Sequence, residues 1–290
     1  MNDVLSALAS AGITVEHEVS GRKLSTFGAG GDVHNLVLPR NAAELQICLR
    51  LLAGTRYHVL GGGSNTLISD FGLQWVVCTR NMKGLCIEGN IMVAAAGEML
   101  PMLSKAALEH GLSGLEFGSG IPATVGGALR MNAGAYGQDM AGVVTGAVVV
   151  TADEIKTVDK AALKLRYRDS QIAGVVAEVS FRLTAKAPAD IAAKMEDMQT
   201  ARAANTPRQP SLGCVFKAAS GVPAAKLIQG CGLKGTRIGQ AQLSGVHCNY
   251  IVNTQGATAR DYLRLVDVVK SAVYSRYGVY LEEEFIHLHD

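Results

Sequence analysis

The 290-residue chain is 48% apolar with a formal net charge of +2, enough for two domains with real cores and a poor match to nucleic-acid or polybasic membrane binding. Its longest apolar run, 143–150, is far too short to span a bilayer, and residues 1–20 carry acids without the basic start of a secretory signal. Six cysteines (Cys48, Cys78, Cys86, Cys214, Cys231 and Cys248) form no CxxC pair and have no histidine at ligand spacing, so the expectation is reduced thiols, a cytoplasmic setting and no metal.

In chain order, the first helix signal is Asn41 with Glu44 three residues on, a capping box whose helix should run to Gly54. Strand-like runs follow at 57–60, 75–79 and 92–96. Pro101 opens a helix that Gly111 closes. Two further strands are expected at 143–150 and 175–183, then a helix from Asp190 to about Ala204, stopped before Pro207. A strand at 246–252 precedes the last helix, which Thr258 and Asp261 begin and Gly278 ends, with Leu263, Val266, Val269 and Val273 inward. A final strand is expected at 279–287. Helices and strands mix without strict alternation, which predicts an α+β fold and not a doubly wound Rossmann sheet. The AKAP stretch at 185–188 marks the expected boundary between domains 1–187 and 188–290, the first made of lobes of about 1–72 and 73–187.

Two glycine-rich loops carry most of the functional signal. The first is LGGGSNTLISD at 60–70, and the second is LEFGSGIPATVGGALRMNAGAYG at 115–137. Either alone reads more readily as a tight turn. Together, with Asn65 and Asn132 embedded in them, they suit a long, two-ended dinucleotide, because missing Cβ atoms let the backbone approach it. A Rossmann fingerprint is not met, since no glycine stands three residues after Gly63.

Across these and further segments the chain resembles the UDP-N-acetylenolpyruvoylglucosamine reductase (UDP-N-acetylmuramate dehydrogenase) family, FAD enzymes of peptidoglycan precursor synthesis. The matching stretches are STFGAGG (25–31), 60–70, 114–140, YRDS (167–170), QPSLGCVFK (209–217), 227–253 and GVYLEEEF (278–285). They run in order along nearly the whole chain, and its length resembles the shorter form of the family. The resemblance implies a vanillyl-alcohol-oxidase-type FAD-binding fold of two lobes, with a C-terminal α+β domain for a UDP-sugar. It implies non-covalent FAD, since Asp32 follows Gly30–Gly31 where covalent relatives carry histidine; His34 lies nearby without marking an attachment. FAD is then expected against Gly61, Gly62, Gly63, Ser64, Asn65 and Thr66 in the first loop. In the second, the expected contacts are Gly120, Ile121, Thr124, Gly126, Gly127, Asn132, Ala133 and Gly134.

The implied reaction takes hydride from NADPH through FAD to the enolpyruvyl double bond of UDP-N-acetylglucosamine enolpyruvate, giving UDP-N-acetylmuramate. The protein must protonate the carbon beside the carboxylate and stabilise the charge that hydride addition creates. Arg168 matches the family's catalytic arginine, a planar guanidinium suited to a carboxylate; Arg166 is the nearest alternative. Glu284 matches the catalytic glutamate, although alternation alone puts Glu282 and Glu284 on one face and Glu283 on the other without choosing among them. Cys214 stands where most relatives have a serine proton donor. With an ordinary pKa of about 8.5 a thiol is mostly protonated at neutral pH, so it can fill that role; a buried, inert cysteine is the plain alternative. The remaining cysteines read as core residues. Tyr167, Lys217, Gln229 and Asn249 are candidate substrate contacts, and His247 reads as a satisfied core histidine. Ala218-Ala219-Ser220 replaces an expected Asn-Pro pair, which removes one polar contact. The protein is expected to act as a monomer, without nucleic-acid or membrane partners. Two alternatives stay open: a flavin oxidase of the same fold, and a catalytically weak protein that only binds flavin or sugar nucleotide.

Overall fold

The computed structural model describes residues 2–219 and 221–290, so Ser220 of the Ala218-Ala219-Ser220 departure lies outside the described residues. The chain folds as two compact units, each assembled from separate stretches. One takes the stretch ending at His17, Asn35–Gly62 and Trp75–Arg202; the other takes Glu18–His34, Gly63–Gln74 and Ala203–Asp290. The division at 202/203 falls inside the helix Pro188–Asn205.

In the first unit, five antiparallel strands stand in the order Ile155–Asp159, Val144–Val150, Val175–Arg182, Ile91–Ala95 and Leu85–Glu88. The helices Leu100–Glu109 and Val125–Arg130 supply Leu100, Leu103, Val125 and Leu129 to a core shared with Met92, Ala94, Val179 and Phe181 of that sheet. Pro101 sits in the first turn of its helix, as its missing N–H allows. A second cluster joins Leu45, Cys48 and Leu49 of helix Ala42–Leu51 to Trp75, Val77 and Val150. Asn41 caps that helix by accepting from the Glu44 N–H at 2.9 Å, and the helix closes at Leu51, short of Gly54.

In the second unit, antiparallel strands Ser211–Cys214, Tyr250–Asn253, Ala241–Leu243 and Arg237–Ile238 lie in that order. The helix Ala259–Tyr277 starts at Thr258 and Asp261 as expected, the two residues forming a capping box, and stops at Gly278, whose φ is +66°. Its Tyr262, Leu265, Val266, Val269 and Val273 are buried with Phe27, Val215, Phe216, Ile251 and Phe285. Asp70 strengthens the same helix start by accepting from the Ala259 and Arg260 N–H groups at 2.8 and 2.9 Å. The strand expected at 246–252 begins only at Tyr250, because the Ser244 hydroxyl accepts from the Val246 and His247 N–H groups and holds a turn there. The run 279–287 is also mostly not strand: only Ile286–Leu288 is, paired in parallel with Thr66–Ile68. Sheets that are largely antiparallel, with helices packed beside them, make both units α+β. Among the described residues, no helix is long and apolar enough to cross a membrane.

None of the six cysteines is joined in a disulfide. Cys48, Cys78 and Cys248 are buried as expected, and burial pushes the Cys48 thiol up to about 12. Cys86 departs from the expected core placement, since it lies exposed on the edge strand Leu85–Glu88; Cys231 is half-buried.

Candidate functional site

In the first unit the two glycine loops meet. A Cβ on Gly61 would stand 2.5 Å from Thr124 Oγ1, one on Gly127 would stand 3.3 Å from the same oxygen, and one on Gly62 would stand 3.4 Å from Thr124 Cγ2. Thr124 is 2% exposed, and its hydroxyl has no hydrogen-bond partner among the described residues, nor has that of Ser119 nearby in the chain. Buried hydroxyls without partners beside Cβ-free backbone fit a polar ligand laid along these loops, since such groups are costly to leave unmatched. Other glycines serve packing: Gly126 abuts Ala96, donates its N–H to the Ala96 carbonyl at 2.9 Å, and leaves 2.8 Å for a Cβ. Gly134 is crowded by Gln138 and Asp139 across a small hairpin, and Gly120 faces the flexible side chain of Arg202. Ile121 and Ala133 pack against the sheet core.

Arg168 stands in a four-residue reversal closed by Arg166 and Asp169, whose N–H and C=O groups bond each other at 2.9 and 3.2 Å. Its φ is +54°, a left-handed conformation that costs a non-glycine residue on the order of 1 kcal/mol or more. Its Nη2 donates to the Gly134 carbonyl at 2.7 Å, and its guanidinium lies 5.3 Å from the Tyr167 ring centroid. Two bonds fix the reversal to the second glycine loop: Ser170 Oγ donates to the Arg130 carbonyl at 2.7 Å, and Arg130 Nη1 donates to the Ile172 carbonyl at 2.6 Å. Asn132, expected at the cofactor, is 2% exposed and makes three internal bonds. Its Nδ2 donates to Asp139 Oδ2 at 3.0 Å and to the Arg166 carbonyl at 2.9 Å, while its Oδ1 accepts from the Ala141 N–H at 2.9 Å.

In the second unit the segments of Cys214 and Glu284 run side by side. The Glu284 N–H donates to the Val215 carbonyl at 2.8 Å, the Lys217 N–H to the Glu282 carbonyl at 2.9 Å, and Phe216 bridges Glu283. Gly213 makes this possible: its φ of +82° turns the strand at a register shift between Ser211 and Cys214, where pairing to Tyr250–Asn253 ends. The three adjacent acids separate by partner. Glu282 pairs with Lys217 Nζ at 2.5 Å and Glu283 with Lys270 Nζ at 3.0 Å, and the Glu284 main chain is bonded directly to Val215. Cys214 and Glu284 are both half-buried.

The other expected contacts fall as follows. Asn65 lends its Nδ2 to the Glu284 carbonyl at 2.9 Å and its own carbonyl to the Ile286 N–H at 2.9 Å. Gly63 is pressed against the Leu24 carbonyl, Thr66 accepts from Ser25 Oγ at 2.7 Å, and Ser64 lies half-buried between them in sequence. Asn249 is 5% exposed and bonds both polar groups of Phe216. Tyr167 is 58% exposed, and Gln229 is exposed on helix Ala224–Gly230. His247 is satisfied as expected: its Nδ1 accepts from the Asn249 N–H at 3.2 Å, its ring meets Tyr250 edge-on at 5.0 Å, and burial pushes its pKa down. His34 is tied to Glu18 at 2.8 Å. Sequence reasoning missed the hydroxyl of Tyr262, buried without a partner among the described residues, because an aromatic at an inward helical position reads as ordinary core.

Two family models match this chain: an FAD binding domain over residues 33–157 and the C-terminal domain of UDP-N-acetylenolpyruvoylglucosamine reductase over residues 205–288. The UDP-N-acetylenolpyruvoylglucosamine reductase of Rubrobacter xylanophilus is 37% identical over 271 residues, which are 91% of this chain and 91% of that one. The crystal structure of the corresponding reductase from Thermus caldophilus matches with a TM-score of 0.84 and 34% identity, over 96% of this chain and all of that one. A glucooligosaccharide oxidase from Acremonium strictum matches at a TM-score of 0.51 and 14% identity, over 97% of this chain and 59% of its own. The fold is therefore the α+β, vanillyl-alcohol-oxidase-type FAD-binding architecture with an added C-terminal domain.

Proposed function

The chain belongs to the UDP-N-acetylenolpyruvoylglucosamine reductase family, and from that premise we propose that it reduces UDP-N-acetylglucosamine enolpyruvate to UDP-N-acetylmuramate with non-covalent FAD and NADPH. The observation that carries this reading is the pairing of the Cys214 and Glu284 segments through the bond between Glu284 N–H and the Val215 carbonyl. FAD, once bound, would supply the hydride chemistry of the reduction. Gly61, Gly62, Gly127 and the Thr124 hydroxyl, which come together where the two loops meet, would hold it. Arg168 donates to the substrate carboxylate in a bidentate contact and stabilises the charge that develops there. Cys214 gives its thiol proton to the carbon beside that carboxylate, and Glu284 relays charge at the same carbon. Lys217, with Tyr167 and Gln229, offers polar contacts to the UDP-sugar; Lys217 must exchange part of its ion pair with Glu282 to do so. The same reading has the protein working as a cytoplasmic monomer on nucleotide substrates, its thiols reduced.

The test separates the two half-reactions. Anaerobic NADPH should bleach the flavin band near about 450 nm, and the enolpyruvyl substrate should restore it. Cys214→Ala should bleach at an unchanged rate and fail to reoxidise with substrate. Normal turnover by Cys214→Ala would remove the thiol from the mechanism, and a colourless protein that binds UDP-sugar without redox chemistry would remove the enzyme.

A further inference from the structure

Three asparagines sit in the motifs read as ligand contacts, and each engages the protein's own backbone at a reacting segment. Asn249 Oδ1 accepts from the Phe216 N–H at 3.0 Å and its Nδ2 donates to the Phe216 carbonyl at 2.8 Å. The side-chain amide thus does what a neighbouring strand would do, at the point where 214–217 leaves one pairing for the other. The Asn249 main chain adds a third bond, from the Val215 N–H to its carbonyl at 2.8 Å. Asn65 holds the opposite side, with its Nδ2 on the Glu284 carbonyl at 2.9 Å. In the first unit Asn132 joins the Arg166 carbonyl to Asp139 and so ties down the reversal that keeps Arg168 at positive φ. Asn249 and Asn132 are 5% and 2% exposed, and each has both its amide oxygen and its amide nitrogen engaged by the protein itself.

We propose that Asn249, Asn132 and Asn65 are positioning residues: each clamps the backbone beside Cys214, Arg168 or Glu284, and so governs turnover, not the affinity for FAD or UDP-sugar. This rests on the catalytic assignment of those three side chains. The physical reason is that misplacing a reacting group by about 1 Å can cost on the order of a hundredfold in rate while barely altering binding. The clamps also explain why the strained φ of Arg168 persists, since such conformations survive only where surroundings over-determine them.

The experiment compares Asn249→Asp and Asn132→Asp with the parent FAD-loaded protein. Each keeps the size of the side chain but replaces the amide donor with an acceptor facing a carbonyl. Turnover number, KM for the enolpyruvyl substrate, the Kd of UDP by calorimetry and the Kd of FAD by fluorescence are measured. A fifth readout needs no catalysis: the rate of Cys214 alkylation by iodoacetamide, followed by peptide mass spectrometry. The clamp predicts a fall in kcat of about tenfold to a hundredfold in both variants, with KM and both Kd values within about twofold. Alkylation of Cys214 should change at least threefold in Asn249→Asp and stay unchanged in Asn132→Asp. A tenfold rise in the Kd of UDP for Asn249→Asp, or of FAD for Asn132→Asp, with kcat retained would make them ligand contacts and overturn the proposal. Should Asn249→Asp fail to fold, Asn249→Gln, which keeps both groups one methylene further out, gives the same split. Normal turnover by Cys214→Ala would instead overturn the catalytic assignment, and the alkylation rate would still report the clamp.

Discussion

Replacing Tyr262 with phenylalanine should stabilise the protein. Tyr262 lies at 0% exposure on helix Ala259–Tyr277, its ring edge-on to Phe27 at 4.9 Å and to Phe285 at 5.0 Å. Its hydroxyl has no partner among the described residues. Burial pushes its pKa well up, with Glu283 and Cys214 adding in the same direction, so the phenol stays neutral. A buried hydroxyl without a partner costs about 1–3 kcal/mol relative to one left in water. Tyr262→Phe removes that cost and keeps both edge-on contacts, while losing only the oxygen's dispersion and leaving a small void. We set the net gain at about 1 kcal/mol, or a rise of a few degrees in Tm. Differential scanning fluorimetry of parent, Tyr262→Phe and Tyr262→Leu reads it out. The leucine variant should lose the two aromatic contacts, about 0.5–1.5 kcal/mol each, and melt lower. A Tyr262→Phe protein that melts below the parent would mean the hydroxyl is engaged, and the reasoning fails.

Other expectations follow from single contacts. Asp70→Ala removes two charge-assisted bonds at the start of the long C-terminal helix and should cost about 1–2 kcal/mol in urea titration, against almost nothing for the exposed neighbour Phe71→Ala. Gly61→Ala puts a methyl 2.5 Å from Thr124 Oγ1 and should cost on the order of 1–3 kcal/mol of strain, with weaker FAD retention on gel filtration; full retention at the parent's stability would count against FAD binding where the two loops meet. Stability should fall with acidification in two stages. Burial lowers the His247 pKa, so the unfolded chain takes up the proton first; that stabilisation is complete above about pH 6.5 and is lost as pH falls through the folded value. Burial raises the Glu116 carboxyl, but bonds from Ser113 and Gly114 and the charge of Lys194 outweigh it and leave it lowered, which adds a second decline below about pH 4.3. Urea midpoints at pH 7.5, 5.5 and 4 test both, and a midpoint that rises on acidification contradicts the assignment.

Much of the fold was legible where one local signal dominates. Thr258, Asp261 and Gly278 bracket the last helix because capping is a contest among a few neighbouring groups. The acidic run at 279–287 was not, because its alternation resembles a strand while its hydrogen bonds go singly to Val215, Lys217 and Asn65. The division into units escaped a linear reading for a related reason: 18–34 and 63–74 carry no boundary signal, and only three-dimensional packing groups them with 203–290. For the site, glycine content located both loops but could not tell Gly61, which faces Thr124, from Gly126, which only accommodates Ala96. Asparagine is equally mute in sequence, since a clamp and a ligand contact need the same amide.

The parallel pairing of Ile286–Leu288 with Thr66–Ile68 bears on how the protein is made. Asn65 and Glu284, which this pairing joins, are 219 positions apart. Closing so long a loop delays native contacts and slows folding relative to chains built from local pairings. The unit that carries Cys214 therefore waits with 18–34 and 63–74 exposed until the far segment arrives, while the sheet of residues 85–182 can form from a contiguous stretch. During that interval Leu67, Ile68 and Phe27, all buried at the end, are open to wrong partners. Refolding from urea should accordingly show early recovery of the first unit's sheet and a later, concentration-sensitive recovery of the second.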